Sequence, residues 1–219
     1  MKYYKWKDKI QNKISIGKII CLARTYKKHA EEMSSNLPKR PIVFLKPRSS
    51  IIFSGDYIIY PYQSNCLHHE VELGVIIGKN GKYISEKLSW NHIAGYCIGL
   101  DITARDLQEQ AKKQGLPWTI SKSFDTFAPI SHVIEKNQIR NPHNVNLELS
   151  VNGEIRQKES TSEMIWKIPE LISFISSIMM LERGDMILTG TPRGVNEIFR
   201  GDVIDATMDS YCSLHVEVK

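Results

Sequence analysis

His68-His-Glu-Val-Glu-Leu-Gly-Val-Ile-Ile77 begins with alternating charged and apolar residues and ends fully apolar, the pattern of a β-strand running into a protein interior. Side chains alternate across a strand, so Glu70 and Glu72 share one face while Val71 and Leu73 take the other. Two carboxylates on one face of an apolar strand repel, and burying them is costly without a compensating cation. A third carboxylate, Asp101, ends the apolar run Gly95-Tyr-Cys-Ile-Gly-Leu100. Three oxygen donors without Cys or His suit a hard divalent ion, Mg2+ or Mn2+, with water or substrate completing the shell. A half-solvated amphipathic strand would also show Glu-x-Glu, and spacing alone leaves both readings open.

Working outward, residues 18–22 and 42–46 read as strands, residues 26–33 as helical and residues 34–40 as a polar loop. Asn80-Gly81 and Asn152-Gly153 each follow a β-like run and predict hairpins, because both turn residues tolerate positive φ. Thr103-Ala-Arg-Asp106 resembles a capping box that opens a helix, and Gly115 and Pro117 close it. Residues 169–181 carry an apolar stripe at helical spacing, with Pro169 in the first turn. Residues 185–189, 203–208 and 214–218 predict further strands. Strands outnumber helices and no βαβ alternation runs through the chain. The expected class is α+β, strand-dominated, with one domain over residues 18–219 after a basic segment, residues 1–17.

Of the 219 residues, 42% are hydrophobic and 24% charged, which excludes a disordered, collagen-like or disulfide-scaffold chain. No stretch approaches the ~18 uninterrupted apolar residues of a membrane-spanning helix, so no membrane partner is expected. The net charge of +5 is uneven: residues 1–48 hold 13 Lys and Arg against three acids, and the remainder holds 16 against 21. A basic front fits nucleic acid, an anionic substrate or a targeting peptide. Nucleic-acid binding needs aromatics interleaved with basic residues, and Tyr3, Tyr4 and Trp6 among lysines are only a faint version, so no nucleic acid is expected. Residues 1–18, with six Lys and one Asp, are expected to be mostly solvated dressing. Cys21, Cys66, Cys97 and Cys212 form no C-x-x-C pair, and Cys21 and Cys97 sit in apolar runs that predict burial. The first residues lack the apolar core of a secretory signal and the Arg and Ser richness of a transit peptide. A cytoplasmic setting is expected, with mitochondrial import left open.

Three further segments carry chemistry. In His29-Ala-Glu-Glu32, His29 and Glu32 share a helical face, so the carboxylate can orient the imidazole as a general base; a plain surface helix is the alternative. Lys122 is a single cation in Trp118-Thr-Ile-Ser-Lys-Ser-Phe-Asp125, suited to an anionic ligand or merely snorkelling at the surface. Gly190-Thr-Pro-Arg-Gly194 is a tight turn whose amides and Thr191 hydroxyl can meet a carboxylate. No phosphate loop or dinucleotide fingerprint is present.

In order along the chain, the runs Arg24-Thr-Tyr-Lys-Lys-His-Ala-Glu-Glu-Met33, Phe44-Leu-Lys-Pro47 and His68-His-Glu-Val-Glu-Leu-Gly74 resemble the fumarylacetoacetate hydrolase family. So do Leu100-Asp-Ile-Thr-Ala-Arg-Asp-Leu-Gln108, Gly115-Leu-Pro-Trp118, Lys122-Ser-Phe124 and Ile187-Leu-Thr-Gly-Thr-Pro192. The nearest likeness is to its small single-domain acylpyruvases, which also decarboxylate or tautomerise oxaloacetate. The resemblance implies a mixed β-sandwich roll with few helices, a homodimer, and Mg2+ or Mn2+ held by Glu70, Glu72 and Asp101. It implies a His29–Glu32 dyad on a short lid helix, with Lys122 at the enolate and Arg105, Gln108 and Thr191 at the substrate. Arg24, with Lys27 and Lys28, would receive a small anionic 2-oxo acid.

The implied reaction is metal-dependent cleavage of a C–C bond through an enolate: acylpyruvate hydrolysis, or oxaloacetate decarboxylation or tautomerisation. Isomerisation or decarboxylation of hydroxydienoates is the alternative within the family. Ala23 and Thr25 stand where the family usually has Gly and Asn. The chain reads Met208-Asp-Ser-Tyr-Cys212 where the family tends to have a Gly-rich turn.

Overall fold

The computed structural model describes residues 2–8, 13–32 and 37–219. Met33, at the end of the expected first helix, and residues 34–36 of the expected loop lie outside the described residues. The first strands are β1 (Ile19–Ala23), β2 (Ile42–Lys46), β3 (Ile51–Phe53), β4 (Tyr57–Ile58), β5 (Leu67–His69) and β6 (Val71–Ile77). There follow β7 (Ile93–Leu100), β8 (Thr103–Ala104), β9 (Ala128–Ile130), β10 (Ile134–Glu135), β11 (Asn146–Val151) and β12 (Glu154–Ser160). The last four are β13 (Met186–Leu188), β14 (Asn196–Ile198), β15 (Val203–Met208) and β16 (Cys212–Val218). The α-helices are α1 (Lys27–Glu32), α2 (Glu86–Ser89), α3 (Arg105–Gln114), α4 (Thr119–Lys122) and α5 (Ile168–Ile178).

An eight-stranded mixed sheet runs β2-β1-β13-β6-β7-β9-β3, with β10 also on β7. A five-stranded sheet runs β12-β11-β15-β16-β4, and a small third sheet runs β14-β5-β8. The α+β, strand-dominated expectation holds. Strand alternation sorts the residues of the large sheet between two cores. Ile20, Leu22, Val71, Leu73 and Val75 join the five-stranded sheet's Leu147, Leu149, Ile204 and Val216 and helix α5's Leu171, Ile172 and Ile175. Ile19, Cys21, Ile76 and Cys97 take the opposite face. Each such fully buried side chain stabilises the fold by about 1.5–3 kcal/mol relative to exposure. The second face is covered by the N-terminal segment, where Tyr4, Ile14 and Ile16 are buried and the Tyr4 hydroxyl donates to Gly184 O at 2.8 Å. That corrects the solvated reading: Lys2, Lys5, Lys7 and Lys13 are exposed, but Tyr4, Ile14 and Ile16 are anchors.

Most expected strands appear within a residue or two of their predicted ends. Asn152 and Gly153 take φ of 52° and 81° and turn β11 into β12 as expected. Asn80-Gly81 does not make a hairpin. Gly81 exchanges backbone hydrogen bonds with Leu181 at 2.8 and 2.9 Å and Asn80 Oδ1 accepts from Arg183 N, so long-range pairing overrides the local turn signal. The same pairing ends α5 at Ile178, short of the expected residue 181. No capping box opens α3: Thr103 belongs to β8, and the Asp106 carboxylate instead accepts from Ser64 Oγ, Asn65 N and Leu107 N. Gly115 closes that helix at φ 66°, as predicted. Among the described residues no helix is long and apolar enough to cross a membrane.

Candidate active site

Strand register builds the carboxylate cluster. Val71 pairs with Leu100 across β6 and β7, so the residues just beyond that pair, Glu70 and Asp101, are neighbours, and Asp101 N donates to Glu70 O at 2.9 Å. Glu72 is the next residue on the Glu70 face. The three are buried, and each offers an oxygen within 4.8 Å of the others. The solvated-strand alternative is therefore excluded.

Cations attend two of the three. Lys122, buried at the end of α4 rather than snorkelling, donates to Asp101 Oδ2 (2.6 Å), Thr103 Oγ1 (2.6 Å) and Glu70 Oε2 (3.2 Å). Arg105, in the first turn of α3, donates from Nη2 to Glu70 Oε1, from Nη1 to Gln108 Oε1 (2.6 Å) and from Nε to His68 Nδ1 (3.3 Å). Burial pushes the Glu70 carboxyl upward, but Lys122 and Arg105 outweigh it and hold that carboxyl far below the usual range. Glu72 accepts from the Gly190 N–H at 2.6 Å and, among the described residues, pairs with no cation. Burial first, then the charges of Asp101 and Glu70, push its carboxyl well above the ordinary range.

The donor set fits a divalent ion. Lys46 is wholly buried and spends its three protons on the carbonyls of Ile102 (2.8 Å), Lys122 (2.7 Å) and Phe127 (2.9 Å). Its Nζ also forms an ion pair with Asp101 Oδ1 at 2.8 Å. Three buried carboxylates with oxygens within 4.8 Å of one another, of which Glu72 has no cation among the described residues, are the arrangement a hard metal ion completes.

The lid dyad is present in outline. His29 is 7% exposed, which excludes the plain surface helix, and its Nδ1 lies 3.3 Å from Glu32 Oε2. Glu32 also accepts from Gly194 N at 3.0 and 3.2 Å. Burial lowers the imidazole below its ordinary 6.5, with Glu70 and Glu32 pulling the other way. Arg24, His29, Gln108, Lys122 and Thr191 all line one small cavity with Glu70 and Glu72, of about 40 Å³. Thr191 donates its only hydroxyl proton to Val71 O (2.8 Å) and accepts from Gln157 Nε2 (2.8 Å), so its hydroxyl is committed to the protein. Of the basic trio at the front, Lys28 pairs with Glu159 (3.0 Å) and Lys27 approaches Glu31 (4.0 Å). A larger cavity of about 930 Å³ lies along β2 and the segment around Trp118. It shares Phe44 and Trp118 with the small one but contains none of the carboxylates.

The two family departures have local explanations. It is Arg24, not Ala23, that takes positive φ (58°), so Ala23 continues β1 without strain. Thr25 is buried and donates to Thr189 O at 2.6 Å, a structural tie. At the C-terminal turn Asp209 takes φ 43°, supplying the conformation a glycine would give. Sequence reasoning gave no role to Lys46 and did not single out Gln157. Lys46 carried a signal, a charge inside a short apolar strand; Gln157 sits in a polar strand and carried none.

A family model described as fumarylacetoacetate (FAA) hydrolase C-terminal matches residues 18–219. The chain belongs to the fumarylacetoacetate hydrolase family. It is 47% identical over 201 residues to oxaloacetate tautomerase FAHD1, mitochondrial, of Mus musculus, covering 92% of this chain and 91% of that protein. It is 49% identical over 188 residues to the mitochondrial oxaloacetate decarboxylase of Dictyostelium discoideum, covering 85% and 86%. Its fold superposes with a TM-score of 0.94 on fumarylpyruvate hydrolase from Pseudomonas aeruginosa, solved with Mn2+ and pyruvate. That match has 33% identity and covers 99% of this chain and 94% of the other.

Proposed function

We propose that this family member is a divalent-metal enzyme acting on short 2-oxo acids. It would hydrolyse acylpyruvates to pyruvate and a carboxylic acid, and decarboxylate or tautomerise oxaloacetate, through a common enolate. The observation that carries the reading is the meeting of three buried carboxylate oxygens within 4.8 Å, beside Lys122 and a buried His29. Glu70, Glu72 and Asp101 would hold Mg2+ or Mn2+, which supplies Lewis-acid stabilisation of negative charge on the substrate's keto oxygen.

The chain's own residues account for the rest. Lys122 places a fixed positive charge at the same point, and preorganised charge in a dry site is usually the strongest contribution to catalysis of this kind. Glu32 receives the Nδ1 proton of His29, which leaves Nε2 free to take a proton from the water that attacks the distal carbonyl. Decarboxylation and tautomerisation need the electron sink but no attacking water. Gln108 gives its Oε1 to Arg105 and keeps its amide N–H groups for substrate, while Arg24 and Arg105 offer positive charge to a substrate carboxylate. We take residues 18–219 as the catalytic unit. A homodimer completes the reading, supported by family membership and checked by sedimentation; a cytoplasmic or a mitochondrial setting is decided by cell fractionation.

The test is a panel of acetylpyruvate, oxaloacetate and a hydroxydienoate, each with Mg2+ and with Mn2+. Pyruvate release or enol–keto conversion faster than with metal alone is expected for the first two, and Glu70→Ala abolishes it. No acceleration of either compound refutes the proposal, and turnover of the dienoate alone would select the family alternative.

A further inference from the structure

The turn over residues 190–194 touches both halves of the site. At one end Gly190 N–H holds Glu72 Oε2 at 2.6 Å; at the other Gly194 N–H holds the Glu32 carboxylate at 3.0 and 3.2 Å. Both glycines lie at positive φ, 92° and 95°, and both are pressed against neighbours: a Cβ on Gly190 would fall 1.9 Å from Thr25 Oγ1, and one on Gly194 would fall 2.1 Å from Arg156 O. At both positions the backbone approaches its neighbours too closely for any side chain.

What sets its position comes from the other sheet. Among the described residues of β12, Gln157 alone is buried, while Glu154, Ile155, Arg156 and Lys158 are exposed. The register of β11 against β12 shifts there: Leu149 faces Gln157 and Ser150 faces Ile155, so Arg156 is an extra, bulged residue. Bulges re-aim a side chain, and this one turns a glutamine inward.

All four of its hydrogen-bonding positions are used. Oε1 accepts from Val71 N (3.0 Å) and from His69 Nδ1 (3.0 Å); Nε2 donates to Thr191 Oγ1 (2.8 Å) and Pro192 O (2.9 Å). A backbone N–H on one side and a backbone carbonyl on the other leave the amide a single orientation. Val71 lies between Glu70 and Glu72, and Thr191 and Pro192 lie between the two gripping glycines. One side chain thus fixes the metal-facing strand relative to the turn that grips Glu72 and Glu32.

We propose that Gln157 is a positioning residue that couples loading of the carboxylate triad to seating of α1 over it. The proposal rests on the reading of Glu70, Glu72 and Asp101 as metal ligands. Outer partners that hold metal-binding side chains in place are worth about 10- to 100-fold in metal affinity. Gln157→Met keeps the volume and removes all four bonds; Gln157→Glu keeps the acceptors and removes both donors to the turn. Lys158→Met, exposed on the same strand, is the control.

Mn2+ affinity is measured by calorimetry, and hydrogen exchange of α1 and the turn is followed with and without Mn2+. In the wild type, Mn2+ is expected to slow exchange at Gly190, Gly194 and α1 together. Gln157→Met is expected to weaken Mn2+ roughly 10- to 100-fold and to abolish the protection of α1 even at saturating metal. Gln157→Glu should lose that protection too, because the donors to the turn are gone. Absence of Mn2+ binding in the wild type would sink the metal reading and this coupling with it. Wild-type binding that protects Gly190 but not Gly194 or α1 would overturn the coupling alone, as would Gln157→Met with wild-type affinity. The wild-type exchange measurement decides the matter even where a variant fails to fold.

Discussion

Replacing Lys46 by Met isolates the role of a buried cation that touches no solvent. Met nearly matches the Lys stem in length and volume, so packing is retained while the ammonium is removed. Its three donated bonds, at 2.7–2.9 Å to Lys122 O, Ile102 O and Phe127 O, tie together the segments that carry Asp101 and Lys122. The charge also stands 2.8 Å from Asp101 Oδ1. Removing one partner of a buried pair costs about 3–5 kcal/mol; here Lys122 still meets Asp101 Oδ2, and the loss falls on three buried carbonyls and on Asp101 Oδ1, which are left without their cation. That is a large share of a typical stability of roughly 5–15 kcal/mol. With a urea slope of about 2 kcal/mol per molar, the unfolding midpoint should fall by roughly 1.5–2.5 M. The assay is urea unfolding followed by circular dichroism in the presence of chelator, with Lys158→Met as the exposed control. A fall below about 0.5 M, the behaviour of an ordinary surface lysine, would refute the assignment of Lys46 as the tie between these segments.

Other outcomes follow from the same geometry. His29→Ala should lower acylpyruvate hydrolysis by about 10²- to 10⁴-fold while leaving oxaloacetate decarboxylation within a few-fold, since only hydrolysis needs an activated water; equal losses on both substrates would remove His29 from the water-activating role. Burial lowers the His29 imidazole below 6.5, and the neutral ring is the base. Hydrolytic kcat/KM should therefore be fully developed at pH 7 and fall as pH drops through a value below 6.5, whereas an acid limb centred above 6.5 would contradict the burial argument. Tyr4→Ala should cost about 3–5 kcal/mol by opening a cavity under the N-terminal segment, read as a lowered thermal midpoint; a change within error would return that segment to solvated dressing.

The legibility of the fold divides along the range of the interactions. Strand β6 and the turn at Asn152-Gly153 were readable because alternation and positive φ are properties of a few consecutive residues. Asn80-Gly81 carried the same local signal and failed, since Gly81 pairs with Leu181, a hundred residues away. Thr103 failed as a cap for a related reason: its hydroxyl receives the Lys122 ammonium at 2.6 Å, a partner no local window contains. A local rule gave way in each case where a distant backbone or charge offered the same polar group a buried partner.

The site shows the same division within a single motif. Glu70 and Glu72 are two residues apart on one strand face, and the sequence treats them alike, yet their surroundings push their carboxyls in opposite directions. Glu70 meets Arg105 and Lys122, both from segments following β8, while Glu72 meets the Gly190 amide and, among the described residues, no cation. The difference is useful: one carboxylate is fixed in its ionised form by protein cations, and the other is left to require a cation from outside. Lys46 and Gln157 support this arrangement without belonging to any short motif. Lys46 ties the segments that carry Asp101 and Lys122 and sets its charge 2.8 Å from Asp101 Oδ1. Gln157 holds the turn whose amide aims Glu72. On the proposed reading the ligands of such a site are recognisable from sequence, while the residues that hold them in place look ordinary in type and acquire their roles only once three sheets have been assembled around them.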